Sequence, residues 1–175
     1  QGAALEGKPL DWGNVSDKCA PRGQPAREIL LDRVTDPQYV GAILRSAEVF
    51  GARAVIGVQR HSAPETGALA KTASGALERQ PYLRIKNLAT TMEALREMGY
   101  TLLGLDGEAD VTLRDEAAKH EGAIALVLGA EGPGLRDKTK DTCDRLVRID
   151  ASGGFGSLSV SNAAAVSLYE VQART

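Results

Sequence analysis

Three groups of side chains in this 175-residue chain carry types and spacings that could do chemistry. Glu131 is set among glycines in LVLGAEGPGL, residues 126–135. Ser157, Ser159 and Ser161 alternate with Leu158 and Val160 in GGFGSLSVSN, residues 153–162. Arg45 lies four residues beyond Gly41. Glycines let backbone pass close to a ligand, and a carboxylate or hydroxyl among them can accept or donate a hydrogen bond there. Two glycine-rich turns at the ends of α/β elements suit a nucleotide-like ligand held mainly by main chain. Two ordinary connecting loops would satisfy the glycine content as well. The planar guanidinium of Arg45 suits phosphate or carboxylate, and Gly41 on the same helix face would clear space beside it. A surface arginine beside an incidental glycine is the plainer alternative. Glu131 could equally cap the turn that follows it, and one of the three serines an ensuing helix.

The elements that must position these groups alternate between strand and helix. Residues 29–34 read as a strand, and a helix follows to about Phe50, with Asp36 at its N-cap and Pro37 at its first position. Its apolar residues Val40, Ile43, Leu44, Ala47 and Phe50 share one face. Further strands are predicted over 54–58, 83–85, 100–105, 123–128 and 146–149. Helices are predicted over 65–77 (weakly), 88–98, 137–143 and 160–171, and the acidic stretch after Leu105 reads as irregular. Residues 1–28 read as an extended lead-in carrying Trp12, with one domain from 29 to 175. The alternation predicts an α/β fold whose mostly parallel sheet has helices on both faces.

Composition narrows the function classes. Hydrophobic content of 43% and charged content of 25% are ordinary for a globular chain. No apolar run is long enough to span a membrane, and the N-terminus has no basic-then-apolar signal segment. Two cysteines without metal-type spacing predict a cytoplasmic protein with reduced thiols, and the isolated His61 and His120 predict no metal site. A net charge of −2 counts mildly against a nucleic-acid partner but leaves room for a local basic patch. Phosphate-loop, nucleophile-elbow and zinc-protease motifs are absent, as is a GxGxxG after the first strand.

Three segments in register resemble the SpoU/TrmH family of RNA 2′-O-ribose methyltransferases, in the SPOUT superfamily. They are DPQYVGAILRSA (36–47), LGAEGPGL (128–135) and SLSVSNAAAV (157–166), the last followed by LYE (168–170). Residues 107–110 and 70–80 also resemble the branch that modifies a guanosine of bacterial 23S rRNA. The resemblance implies a C-terminal trefoil knot, S-adenosylmethionine as cofactor, RNA as partner and a homodimer. It implies that Gly129, Ile149 and Leu158, with Leu128 and Ala151, hold the cofactor. Arg45, Glu131, Ser157 and Ser159 would be catalytic, with Arg45 at the target phosphate or activating the hydroxyl, and Glu131 and Ser157 orienting ribose and cofactor. Tyr39, Arg60 and Lys71 would meet RNA. The branch also carries an N-terminal RNA-binding domain, expected ahead of Gln1. For the dimer, Leu168 and Val171 fit either an interface or the monomer core.

The chain departs from the family at Tyr39 and Ser159, where Asn is expected, and at Asp150-Ala151, where Pro-Met is common. Asn is a compact donor and acceptor, so losing both sets a second hypothesis beside the enzyme: a relative that binds SAM or RNA with weakened transfer. A tRNA substrate, and a small-molecule nucleotide enzyme of ordinary α/β topology, are the remaining alternatives.

Overall fold

The computed structural model describes residues 13–21, 25–61, 67–153 and 158–172. Their frame is a seven-stranded sheet in the order β3-β2-β1-β6-β4-β7-β5. The strands are β1 (Arg27–Asp32), β2 (Ala54–Val58), β3 (Tyr82–Ile85), β4 (Thr101–Leu105), β5 (Val111–Thr112), β6 (Ile124–Gly129) and β7 (Arg145–Arg148). Every ladder is parallel, so all strand C-termini share one edge. The helices are α1 (Val15–Cys19), α2 (Pro37–Phe50), α3 (Gly67–Ala73), α4 (Ala76–Arg79), α5 (Leu88–Glu97), α6 (Leu113–Ala117), α7 (Asp137–Thr142) and α8 (Val160–Val171).

Strand side chains alternate between two cores. On one face Ile29, Leu31, Val55, Leu126 and Leu128 pack with Val40, Ile43 and Leu44 of α2, Leu69 of α3 and Ala164 and Leu168 of α8. On the other, Leu30, Ile56, Leu102 and Val127 pack with Leu88, Met92 and Leu95 of α5 and with Cys19 of α1. The expected sheet with helices on both faces is thereby present.

Several boundaries differ from the sequence expectation, each for a local reason. β1 begins at Arg27, because Arg27, Glu28 and Asp32 are buried with dedicated partners and break the apolar run. It ends at Asp32, because Arg33, with a φ of 63°, leaves the extended region. The lead-in holds the short helix α1, capped by Asn14, whose side chain accepts from the Asp17 amide at 2.9 Å. Trp12 lies outside the described residues. The stretch expected to be irregular contains β5 and α6; Thr112 caps α6 by accepting from the Asp115 amide at 3.1 Å. The single weak helix over 65–77 is instead α3 and α4, separated by Ser74 and Gly75, both with positive φ.

α2 begins as expected: the Asp36 side chain accepts from the Gln38 amide at 2.8 Å, and Pro37 occupies the first position. Gly41 does not clear space beside Arg45. A Cβ there would meet the Leu69 carbonyl oxygen at 2.7 Å and Thr72 Cβ at 2.8 Å, so this glycine lets α2 and α3 approach closely.

A buried polar node fixes α1 to the sheet. The Tyr100 hydroxyl lies 2.8 Å from Glu28 Oε1 and 2.5 Å from the Cys19 carbonyl oxygen. One hydroxyl proton serves one of these acceptors; a Glu28 carboxyl holding its own proton supplies the other bond. Burial pushes the Glu28 carboxyl up to about 8, so it is mainly protonated at neutral pH. Because this value is raised above the unfolded one, about 4.3, the folded state binds the extra proton between the two. Stability is therefore full below the unfolded value and declines as pH rises through 8. Urea unfolding at pH 5.5 and 8.5 should show wild type losing more stability with pH than Glu28→Gln. Parallel pH dependence in the two proteins would contradict this account.

Candidate active site

At the C-terminal edge of the sheet, β4, β6 and β7 open onto a cavity of about 1090 Å³. Its wall includes Leu128, Gly129 and Glu131 from the end of β6, Ile149 and Ala151 after β7, and Leu158 and Ser159 before α8. The crevice outside the carboxyl ends of parallel strands is where α/β sheets commonly bind ligands.

The segment 129–136 is built to hold its shape. Asp32, fully buried at the end of β1, accepts from the Arg136 amide at 2.9 Å and from Arg136 Nε at 2.7 Å. Leu135 inserts into the second core, and Gly134 donates its amide to the Ala130 carbonyl at 2.8 Å. Gly132 and Gly134 have φ of 83° and 69°, which favour glycine. Gly129 has a different role from the one its sequence context suggests. A Cβ on it would overlap the backbone of Gly134 and Leu135, so the missing side chain makes room for the loop itself.

Glu131 joins three elements. Its Oε1 accepts from the Val160 amide at 3.2 Å, at the N-terminus of α8, and its Oε2 accepts from the Tyr39 hydroxyl of α2 at 3.1 Å. A carboxylate at a helix N-terminus is favoured by the exposed amides and the helix dipole. The same carboxylate raises the Tyr39 pKa, through the hydrogen bond first and its charge second. Ser159 is the N-cap of α8: its Oγ accepts from the Asn162 amide at 3.3 Å and lies 3.2 Å from Ser161 Oγ.

The structure thus brings Leu128, Gly129, Glu131, Ile149, Ala151, Leu158 and Ser159 to one cavity. Ser157 lies outside the described residues. Tyr39 stands beside that wall and reaches it through Glu131. Arg45 is exposed on α2, outside the cavity wall, and makes no ion pair with a described residue. Arg60 is exposed in the 3-10 turn Gln59–His61 that follows β2. Lys71 of α3 lines a separate hollow of about 830 Å³ with Gln38.

Sequence reasoning missed Asp32, Asp106, Lys140 and Arg148. Lys140 Nζ lies 3.6 Å from Asp106 Oδ2, and both line the cavity with Arg148. Strand ends on the shared carboxyl edge are the signal that could have found Asp32, Asp106 and Arg148, whereas Lys140 lies on α7 and reaches the site by its pairing with Asp106. Burial pushes the Cys143 thiol up to about 12 and Cys19 upward as well, so neither is poised as a nucleophile. Among the described residues no cluster of His, Cys, Asp or Glu could hold a metal ion, and no helix is long and apolar enough to cross a membrane.

Comparison with known proteins places this geometry. Residues 26–169 match the SpoU rRNA methylase family. The chain belongs to that family. It is 42% identical over 173 residues to the 23S rRNA (guanosine-2'-O-)-methyltransferase RlmB of Vibrio cholerae, covering 97% of this chain and 69% of the relative. It is also 42% identical to the RlmB of Vibrio vulnificus, over 93% of this chain and 65% of the relative. The chain thus spans about two thirds of the length of these SpoU relatives. Among solved structures, the SpoU methyltransferase AviRb of Streptomyces viridochromogenes aligns with a TM-score of 0.77 at 28% identity, over 87% of this chain and 61% of AviRb. Its complex with AdoMet aligns with a TM-score of 0.75 at 30% identity, over 89% and 59%.

The packing at Gly129 makes a clear expectation for this SpoU chain. Gly129→Ala should lower the melting temperature by several degrees without any ligand, because the added methyl must displace backbone. A variant that melts with wild type would show that the loop yields to the methyl at no cost.

Proposed function

We propose that this chain is the catalytic part of a methyltransferase that transfers a methyl group from S-adenosylmethionine to a ribose 2′-hydroxyl of 23S rRNA. The observation that carries this reading is the convergence of the second and third sequence motifs on one cavity, with Tyr39 of the first bonded to Glu131. Two supports stand beside it: the 42% identity to RlmB and the alignment to AviRb in complex with AdoMet.

The cavity fits such a cofactor chemically. Gly107 and Gly153 are on its wall, and a Cβ on either would meet nothing within 4 Å. Four carboxylates line it, Asp106, Glu108, Glu131 and Asp150, against two cations, Lys140 and Arg148. That balance favours a ligand bearing positive charge. When bound, S-adenosylmethionine supplies an electrophilic methyl group on a sulfonium.

The chain's own residues then bind and orient. Backbone groups of Leu128, Gly129, Ile149, Ala151 and Leu158 hold the adenosyl part. Glu131, fixed between Val160 and Tyr39, presents its carboxylate to the ribose, with Ser159 on the same wall, and Ser157 is assigned the role of orienting ribose and cofactor. Arg45 pairs with the phosphate next to the target hydroxyl and favours loss of its proton. Arg60 and Lys71 extend the path of the RNA, with Tyr39 at its inner end.

The proposal includes the trefoil knot. α8 follows β7 near the sheet's edge yet packs back against α2, β1 and β6 at its centre, which supports a threaded C-terminus. It also includes a homodimer acting in the cytoplasm. Leu168 and Val171 are buried in the monomer core and are not its interface. The exposed apolar residues instead include Val49 of α2 and Val166 and Tyr169 of α8, with the Tyr169 ring edge-on to Phe50 at 5.8 Å.

The weakened-enzyme alternative rests on Tyr39 and Ser159. Both have defined bonds in this site, to Glu131 and to the α8 N-terminus, which favours the active reading.

Methyl transfer from labelled S-adenosylmethionine to unmodified 23S rRNA and to tRNA tests the proposal. Transfer to 23S rRNA is expected, and Arg45→Ala should cut it about 100-fold, the scale for one lost charge-stabilising donor, with cofactor affinity nearly unchanged. Cofactor binding without transfer to either RNA would select the weakened relative, and transfer to tRNA alone would move the substrate. For the dimer, sedimentation should give two chains per particle for wild type and one for Val49→Lys/Tyr169→Lys. A wild-type monomer at micromolar concentration would remove that part of the proposal.

A further inference from the structure

Arg148 ends β7 on the wall of the candidate cofactor cavity. Among the described residues its Nη1 is buried without a hydrogen-bond partner and the side chain makes no ion pair. Lys140, the other cation on that wall, is 3.6 Å from Asp106 and so has its counter-charge. Buried guanidinium nitrogens without an acceptor are rare in folded proteins, and one at a cavity points to an acceptor arriving with a ligand. The other charged groups of the wall, Asp106, Glu108, Glu131 and Asp150, repel an anion. Arg148 is therefore the place on this wall where an anionic group can be held.

We infer that Arg148 binds the carboxylate of the cofactor's amino-acid moiety, in the planar pairing that guanidinium and carboxylate favour. This rests on the reading of the cavity as the S-adenosylmethionine site. The surrounding carboxylates then take the ammonium and sulfonium charges of the same ligand. An RNA phosphate is the less suitable anion, because the unpaired nitrogen is shielded from solvent where a polymer backbone would have to reach it.

Calorimetric titration separates these possibilities, using two ligands. S-adenosylhomocysteine carries the carboxylate; its decarboxylated analogue, S-adenosyl-3-thiopropylamine, keeps the ammonium and lacks it. Wild type should prefer S-adenosylhomocysteine by about tenfold or more, as a well-placed charge-assisted pair requires. Arg148→Met should close that gap to under about threefold, with affinity for the analogue unchanged, which also shows that the cavity has folded. Arg148→Lys should keep part of the gap.

A gap that persists in Arg148→Met, or is missing in wild type, overturns the inference. Equal weakening of both ligands overturns it in favour of a packing role. A loss of RNA affinity alone would assign Arg148 to a phosphate. Wild type binding neither ligand would remove the cofactor reading of the cavity itself.

Discussion

Helix α8 is gripped by charge at both ends, and the candidate site exists where one of those grips is made. At its C-terminus the Val171 carbonyl accepts from Nε of buried Arg27, whose Nη1 also donates to the carbonyls of Ala26 and Gly122. At its N-terminus the Val160 amide donates to Glu131. A cation at the carbonyl end and a carboxylate at the amide end both oppose the helix dipole favourably. Between them Val160, Ala164, Leu168 and Val171 bury one face against the central strands. The axial position of α8 is thereby set from the start of β1, about 140 residues earlier in the chain. Leu158 and Ser159, just ahead of it, are brought to the cavity wall as a result.

The second fixed body is the loop after β6. Asp32 and Arg136 form an ion pair with one partner fully buried and the other part-exposed, and the same carboxylate also takes the Arg136 amide. Breaking such a pair costs far more than an exposed one, because a charge is left buried without its counterpart. With Gly129 pressed against Gly134 and Leu135, the loop has little freedom to collapse into the cavity it borders. Pre-organisation of this kind matters for a site proposed to hold its ligand through main chain, since backbone that must first be ordered weakens every bond it makes.

Much of this was legible in the sequence where local chemistry alone decides. Asp36-Pro37 announced the start of α2, and the apolar spacing of Val40, Ile43, Leu44 and Ala47 gave its buried face. The segments around Glu131 and Ser159 stood out because glycines and small polar residues cluster there. What was not legible depends on distant partners. Arg27, Glu28 and Asp32 look like interruptions of a strand until Val171, Tyr100 and Arg136 are seen beside them. Gly41 and Gly129 each suggested space for a ligand or a guanidinium, yet each accommodates neighbouring backbone. A glycine's spacing tells that something comes close, and only the fold tells what. The same limit hid Arg148, an ordinary strand-end arginine until its surroundings were known.

The departures at the two asparagine positions take on a physical meaning in this frame. Glu131 needs a donor from α2 on one side and the amide end of α8 on the other; neither requires the residue at 39 or 159 to be asparagine. A phenol carries its hydroxyl at the end of a long rigid ring, so Tyr39 spans to Glu131 from the first turn of α2. Ser159 needs only an acceptor for the Asn162 amide, and serine is among the best N-caps. With tyrosine and serine at these positions the carboxylate is tied at both oxygens. What they change is the surface offered to a ligand: an aromatic ring now stands where a small amide is expected, beside the carboxylate at the mouth of the site. Such a ring can stack on an unpaired base as well as donate through its hydroxyl. Under the proposed function, position 39 joins two tasks, holding Glu131 and facing the RNA, that an asparagine would perform with a shorter reach and no stacking face.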